Sequence, residues 1–363
     1  MKLQVTQENL SRALQTVGRV ANTRGTLPIL ANVLLKTVNN RLSIAATNLD
    51  IAITNLIGSK VAEEGSITVP AKLMSEFVSS LPSGVIDLEL HEQKLHIVTP
   101  QYQSVINGTA AEEFPVMPAV KNGKEWSIDA NKLKKALQQV VLAASSDEAR
   151  PVLTGVYIHT HEGVLNIAAT DSYRLAEKSI KKSQDTISLL VPASAMADLL
   201  RITSDSEGDV RVTHDDQQVL FQVGGAELVT RLIEGNYPDY RKLIPQSFNT
   251  TARVKRSELL NITKVSSLFA RESAGSITIN VDSQEQKISI RSIASQLGEN
   301  TATAEGKITG DGNITLNSRY LADGIQAINS EEITLCFNGK LDPCVLRDPT
   351  NSDYTHLIMP LKS

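Results

Sequence analysis

RLSIAATNLDIA at residues 41–52 and VLNIAATDSYRLA at residues 164–176 are two versions of one segment, with Ala46 and Ala169 standing 123 positions apart. The offset recurs outward from that pair. VTQENLSRALQTV (5–17) aligns with SIDANKLKKALQQV (127–140), where Leu10, Ala13 and Leu14 meet Leu133, Ala136 and Leu137, again 123 apart. ITVPAKLMSEFVSSL (67–81) matches LLVPASAMADLLRI (189–202), and EEFPVMP (112–118) matches EGNYPDY (234–240), with Phe114 and Tyr237 at the same offset of 123. A fixed period of this kind marks a repeat-built chain and has to be read before any motif.

A weaker third copy follows. KRSELLNITKVSSLF (255–269) stands in the place of the first helical block, KISIRSIA (287–294) replaces the IAAT strand, and NITLNSRYLADGIQAI (313–328) replaces the VPA block. The chain ends on THLIMPLKS, with Met359–Pro360 where the earlier copies have Phe114–Pro115 and Tyr237–Pro238. The expected domains are therefore 1–122, 123–248 and 249–363, separated at the polar stretches KNGKEW and QSFNTT.

Within each copy the pattern reads strand, helix, strands, helix, strands. Leu10, Leu14 and Val17 recur at i, i+4 and i+7 and give one apolar helix face. Asp129 stands as an N-cap before ANKLKKALQQV, and Pro70 and Pro192 are placed to open the second helices, where the missing N–H costs nothing. DLELHEQKLHIVTP (87–100) and DVRVTHDDQQVLFQV (209–223) alternate as antiparallel hairpins do. The expected fold is α+β, with three repeated domains that each pack two helices on antiparallel sheets.

The 363 residues carry a net charge of −4, with 41% hydrophobic and 21% charged side chains, as globular chains do. No apolar run reaches the roughly 20 residues that cross a bilayer, and MKLQVTQENL lacks the apolar core of a signal peptide. The expectation is a cytoplasmic protein. Cys336 and Cys344, without a histidine cluster, read as reduced, partly buried thiols, and no cofactor or metal is predicted.

The six predicted helical segments hold eleven Lys and Arg against five Asp and Glu, so the rest of the chain carries ten net negative charges. Basic helices beside acidic sheets suggest one surface facing phosphate and another facing away from it. Geometry sets the stoichiometry. Helices pack about 8–10 Å apart, so six in a closed circle span roughly 15–19 Å between axes. After about 10 Å of helix thickness is removed, that leaves no room for a duplex of about 20 Å. Twelve helices span about 31–38 Å and leave an opening of roughly 21–28 Å. Two chains joined head to tail would close a ring with no exposed sheet edge. Such a ring holds DNA by enclosure and needs little phosphate affinity, which reconciles the acidic net charge with DNA binding.

TLPILANVLL (26–35), IAATNLDIA (44–52), IAATDSYRLA (167–176), EGNYPDYRKLIP (234–245) and LIMPLKS (357–363) together resemble the β subunit of bacterial DNA polymerase III, the sliding clamp family, over the whole chain. The resemblance implies a non-catalytic, head-to-tail homodimeric ring with the DNA-clamp fold. It also implies that the ring tethers the replicative polymerase on double-stranded DNA, is placed by an ATP-driven clamp loader, and serves other polymerases and repair proteins with clamp-binding peptides.

It further implies a hydrophobic pocket for a short peptide rich in Gln, Leu and Phe. By motif, that pocket draws on Arg150, Val152 and Leu153; on Thr170, Ser172, Tyr173, Arg174 and Leu175; on Pro238 and Leu243; on Asn317 and Tyr320; and on Pro343, Leu357, Met359 and Leu361. Ser172–Tyr173 and Val152 differ from the Gly–His and tyrosine of the best-known members. For DNA the resemblance and the basic helices together point to Arg24, Lys72, Lys132, Lys134, Lys135 and Arg201, with Pro151–Val152 in place of a tyrosine pair that some members stack there. The dimer interface is expected at Leu268 and Phe269 against the strand carrying Tyr102 and Ile106.

An enzyme finds no support in the residues. His159 and His161 sit at strand spacing with no third ligand and read as surface residues, Asp215–Asp216 reads as a solvated turn, and Arg174 with Asp171 reads as a structural ion pair. The other class to weigh is a repeat-built scaffold that binds protein or small ligands without encircling DNA. Charge reversal at Lys132, Lys134 and Lys135 separates the two, since a scaffold would be indifferent to it.

Overall fold

The computed structural model describes residues 1–21, 27–120, 123–205, 207–296 and 298–361. Among them are six α-helices: α1 (Gln7–Val17), α2 (Ala71–Ser80), α3 (Ala130–Val140), α4 (Ala193–Ile202), α5 (Arg256–Phe269) and α6 (Ser318–Ala327). All six fall where the repeat places them. Leu10, Leu14 and Val17 are wholly buried, as their helical spacing requires. Asp129 Oδ1 accepts the Lys132 amide at 2.9 Å, the bond of an N-cap. Pro70 and Pro192 stand one position earlier than expected: they end the strands Ser66–Pro70 and Ser188–Pro192, and the helices begin at Ala71 and Ala193.

The chain forms two compact units, Met1–Lys134 with Ser194–Leu232, and Lys135–Ala193 with Ile233–Ser363. The first unit holds an eight-stranded antiparallel sheet in the order Lys124–Asp129, Asp209–His214, Gln218–Val223, Ala226–Arg231, Ile51–Gly58, Arg41–Thr47, Asn32–Val38 and Ser66–Pro70. It also holds a five-stranded sheet, Lys60–Glu63, Lys2–Thr6, Val85–His91, Lys94–Val98 and Gln103–Asn107, that leaves the last strand at an edge. Both predicted hairpins are present. Helix α1 packs on α2 and on the strands of the larger sheet.

The second unit is built on one run of twelve strands. Ser188–Pro192, Gly155–His161, Val164–Thr170 and Arg174–Lys182 lead into Asn351–Ile358, Cys344–Asp348, Glu332–Phe337 and Thr250–Lys255. The run ends with Gly298–Thr309, Lys287–Ala294, Ser276–Asp282 and Gly312–Asn317. Helix α5 packs on α6 and on the strands Lys287–Ala294 and Gly298–Thr309. Cys336 and Cys344 are free and buried, and burial raises both thiols above the ordinary range.

Repeats and compact units do not coincide. Each unit joins strands of two successive repeats through one antiparallel pairing. In the first unit Ala226–Arg231 pairs with Ile51–Gly58, from Ala226 opposite Asn55 to Thr230 opposite Ile51. In the second, Arg174–Lys182 pairs with Asn351–Ile358, from Arg174 opposite Ile358 to Lys178 opposite Tyr354. Lys178 is buried at that joint and paired with Asp353.

The repeat persists at the level of single hydrogen bonds. Thr47 Oγ1 donates to the Ile51 carbonyl at 3.0 Å and Thr170 Oγ1 to that of Arg174 at 2.6 Å. Arg231 N donates to the Asp50 carbonyl, and Met359 N to that of Tyr173. Leu49 and Ser172, 123 residues apart, share a left-handed backbone with φ of 79° and 78°.

Candidate functional site

The predicted pocket residues lie in the second unit. The turn Thr170–Arg174 is fixed from within, because Asp171 Oδ1 accepts the amides of Tyr173 and Arg174, each at 2.9 Å. Its other oxygen pairs with Arg174 Nε at 3.1 Å, as the sequence led us to expect. Arg174 then reaches α6, where Nη1 meets Asp323 Oδ2 at 2.7 Å and the guanidinium lies 4.4 Å from the Tyr320 ring centroid. Asn317 caps α6 by accepting the amides of Arg319 and Tyr320 and donates to the Ala274 carbonyl, so it fixes the first turn of the helix, where Tyr320 stands.

Several of the predicted residues meet at this turn. Arg150 Nη1 donates to Ser172 Oγ at 3.1 Å, and Met359 N donates to the Tyr173 carbonyl at 2.8 Å. Leu175 and Leu357 face each other in register and are buried, with Met359, Tyr237 and Ile244 packed against them. Leu153 is buried too, whereas Tyr173 and Leu243 stand 58% and 47% exposed, so apolar surface is open beside a packed floor. Val152 crowds Gly235, where a Cβ would come within 2.8 Å and where φ is 127°, so only glycine fits. Pro343 precedes Cys344, the partner of Ile358. Leu361 N donates to the Thr315 carbonyl at 2.8 Å and ties down the tail.

His159 corrects the sequence reading. It is buried, stacked on Tyr157 with ring centroids 4.4 Å apart, and its Nε2 is 2.7 Å from Tyr240 Oη. Burial, with smaller contributions from the Arg241 and His161 cations, lowers its pKa to about 4. Tyr240 Oη donates to Glu177 Oε2, which also pairs with Arg241 at 2.9 Å. None of these links is readable from spacing, since Tyr240 lies 81 residues from His159 and 63 from Glu177.

Lys72, Lys132, Lys135 and Arg201 project from helices into solvent. Lys134 is half-buried and donates to the Ser204 carbonyl at 3.0 Å. Arg201 pairs with Asp198 at 2.8 Å. Burial raises the Asp198 pKa, against the pull of Arg201 and Arg19. Arg12, Arg19 and Arg201 line one recess of the first unit, and Arg19 and Lys72 line the next, so α1, α2 and α4 gather their cations. Arg24 lies outside the described residues. Leu268 and Tyr102 are 51% and 47% exposed, Phe269 is half-buried, and Ile106 is buried in its own sheet beside the 52% exposed Val105. No cluster of three metal-ligating side chains and no helix long and apolar enough to cross a membrane occurs among the described residues.

Three domain families of the DNA polymerase III beta subunit match the chain: the N-terminal domain at residues 1–118, the central at 127–239 and the C-terminal at 241–362. The Beta sliding clamp of Synechococcus elongatus is 32% identical over 375 residues, covering 100% of this chain and 99% of its own. That of Bacillus subtilis is 29% identical with 100% of each covered. The crystal structure of the Bacillus subtilis DNA polymerase sliding clamp matches with a TM-score of 0.93 at 28% identity, over 100% of this chain and 99% of that one. The Pseudomonas aeruginosa sliding clamp bound to griselimycin matches with a TM-score of 0.94 at 25% identity, over 100% of both.

Fold, repeat and basic helices together are those of a DNA clamp, a non-catalytic processivity factor that works with DNA and a DNA polymerase. The chain belongs to the DNA polymerase III beta subunit family, the beta sliding clamps.

Proposed function

We propose that two copies of this chain close head to tail around duplex DNA, each contributing three domains, 1–122, 123–248 and 249–363. The observation that carries this is an unpaired edge. Ala226–Arg231 and Asn351–Ile358 each pair with a strand of a neighbouring repeat. Their counterpart in the first repeat, Gln103–Asn107, has the edge of its sheet. The counterpart of the accepting strands is Gly298–Thr309, which meets Thr250–Lys255 only at its end, from Gly306 onward, and, among the described residues, 298–305 have no strand partner on that side. A long free edge is a liability unless it is covered. Two such edges, one in each compact unit, satisfy each other in a second copy by the rule both internal joints obey. Asn300 is tied to Ser266 at 3.0 Å, which anchors this edge to α5, the helix that carries Leu268 and Phe269. Tyr102 and Val105 stand at the other edge.

In this reading Lys72, Lys132, Lys134, Lys135 and Arg201, with Arg24, line the hole and hold DNA by diffuse attraction. The pocket around Arg174 takes the short Gln-, Leu- and Phe-rich peptides of the replicative polymerase, the clamp loader, and other polymerases and repair proteins. An open apolar surface with an adaptable methionine suits a shared site of that kind. The protein acts in the cytoplasm, where the chromosome is replicated.

The test is topological. Loaded protein persists on closed circular DNA and is lost within minutes once the circle is cut, as it runs off the free ends. Equal retention on both forms rejects encirclement and favours a scaffold.

A further inference from the structure

We infer that Glu177, Tyr240 and His159 form a buried latch that positions the outer wall of the peptide pocket and so sets how long a bound peptide stays. The inference rests on the pocket reading above and extends it to residues that do not touch the peptide. Pro238 and Leu243 supply that wall from the segment that includes the short helical turn Tyr240–Leu243. Tyr240 sits between them and turns inward. Its amide donates to the Pro238 carbonyl at 2.8 Å, and its hydroxyl donates to Glu177 while lying 2.7 Å from His159 Nε2. Arg241 adds a second bond to Glu177 at 2.9 Å. Glu177 stands two residues after Leu175 on one strand, so the same strand supplies the pocket floor and the anchor for its wall.

The repeat supplies an internal control. Shifted by 123, His159, Glu177 and Tyr240 fall on Lys36, Thr54 and Met117. The backbone there is the same, since Lys36 pairs with Ser43 as His159 pairs with Asn166, and Thr54 with Ala45 as Glu177 with Ala168. In that copy Arg174 becomes Ile51, so it lacks the guanidinium bridge of the peptide pocket. The polar latch occurs in the copy that carries the pocket and is missing from the one that does not. Fold maintenance alone gives no reason for that difference. Burial, reinforced by the Glu177 charge, holds the Tyr240 phenol protonated at any physiological pH, so it keeps its proton to donate.

The test uses the full chain and a fluorescein-labelled synthetic peptide rich in Gln, Leu and Phe. Tyr240→Phe is expected to raise Kd about tenfold, the scale of one buried hydrogen bond, almost wholly through faster dissociation. Glu177→Ala, which also loses the Arg241 pair, has at least that effect, Glu177→Gln restores most of the affinity because an acceptor oxygen remains, and the double variant Tyr240→Phe/Glu177→Ala is little worse than Glu177→Ala alone. His159→Gln, which leaves the Tyr240–Glu177 bond in place, gives a smaller loss. Hydrogen exchange in residues 238–244 accelerates in Tyr240→Phe without peptide present. Ile290→Val, which loosens the core elsewhere, leaves the affinity unchanged. Met359→Ala, in the pocket itself, separates the two readings. If it abolishes binding while Tyr240→Phe has no effect, the latch is overturned and the pocket stands. If wild type binds no peptide at all, both fall.

Discussion

The guanidinium of Arg174 lies 4.4 Å from the Tyr320 ring centroid and holds two carboxylates, Asp171 within its own turn and Asp323 on α6. One side chain therefore couples the pocket turn to the helix beside it. Removing it strands a largely buried carboxylate, a change that costs roughly 3 kcal/mol. Arg174→Ala is expected to lower the urea midpoint and abolish peptide binding. Arg174→Lys restores only part of each, because a point charge cannot fork between two acids.

Leu49 holds a left-handed backbone with φ of 79° while 47% exposed. A branched side chain in that region costs about 1–2 kcal/mol, offset in part by glycine's greater freedom in the unfolded chain. Leu49→Gly is expected to stabilise the protein by about 0.5–1 kcal/mol and raise the melting temperature without altering peptide affinity. Ser172→Gly gains less, because it forfeits the bond from Arg150.

Two histidines set an acid limit. His356 is wholly buried, with Nδ1 3.0 Å from Tyr354 Oη, no partner for Nε2 among the described residues, and Gly324 pressed so close that a Cβ would meet its ring at 2.6 Å. Burial, and then the Arg174 cation, lowers its pKa to about 3, against about 4 for His159. An unfolded histidine titrates near about 6.5, so between these values the unfolded chain binds more protons. Stability is full above about pH 6.5 and declines as pH falls toward 4 and then 3, by at most about 1.4 kcal/mol per pH unit for each group. Denaturant melts at successive pH values should show this slope, and His356→Gln should reduce it.

Reversal of Lys132, Lys134 and Lys135 to Glu is expected to reduce both loading and retention on circular DNA and to flatten the salt dependence. Lys132 and Lys135 should account for most of the change, because Lys134 already donates to Ser204. Retention assays over a salt series with each single variant test that ranking.

What the sequence discloses is what recurs locally. Leu10, Leu14 and Val17 announce a helix face, Asp129 its cap, and Ala46 with Ala169 the period of the whole chain. The division of the central repeat between two compact units is not legible, because a period shows which segments are alike and not which edges they offer. His159 reads as a surface residue because its strand alternates polar side chains, and its cover arrives from Tyr240, 81 residues on. Asp323, 149 residues from Arg174, carries no local signal at all.

The pairing of Ala226–Arg231 with Ile51–Gly58, and of Arg174–Lys182 with Asn351–Ile358, has a mechanical consequence. Both joints are spanned by continuous polypeptide, so a strand that lets go remains tethered at high local concentration and zips shut again. A junction between separate chains has no such leash. In the proposed two-chain ring, stress would therefore be released at the two subunit boundaries, and whatever opens it would need no instruction about where to pull.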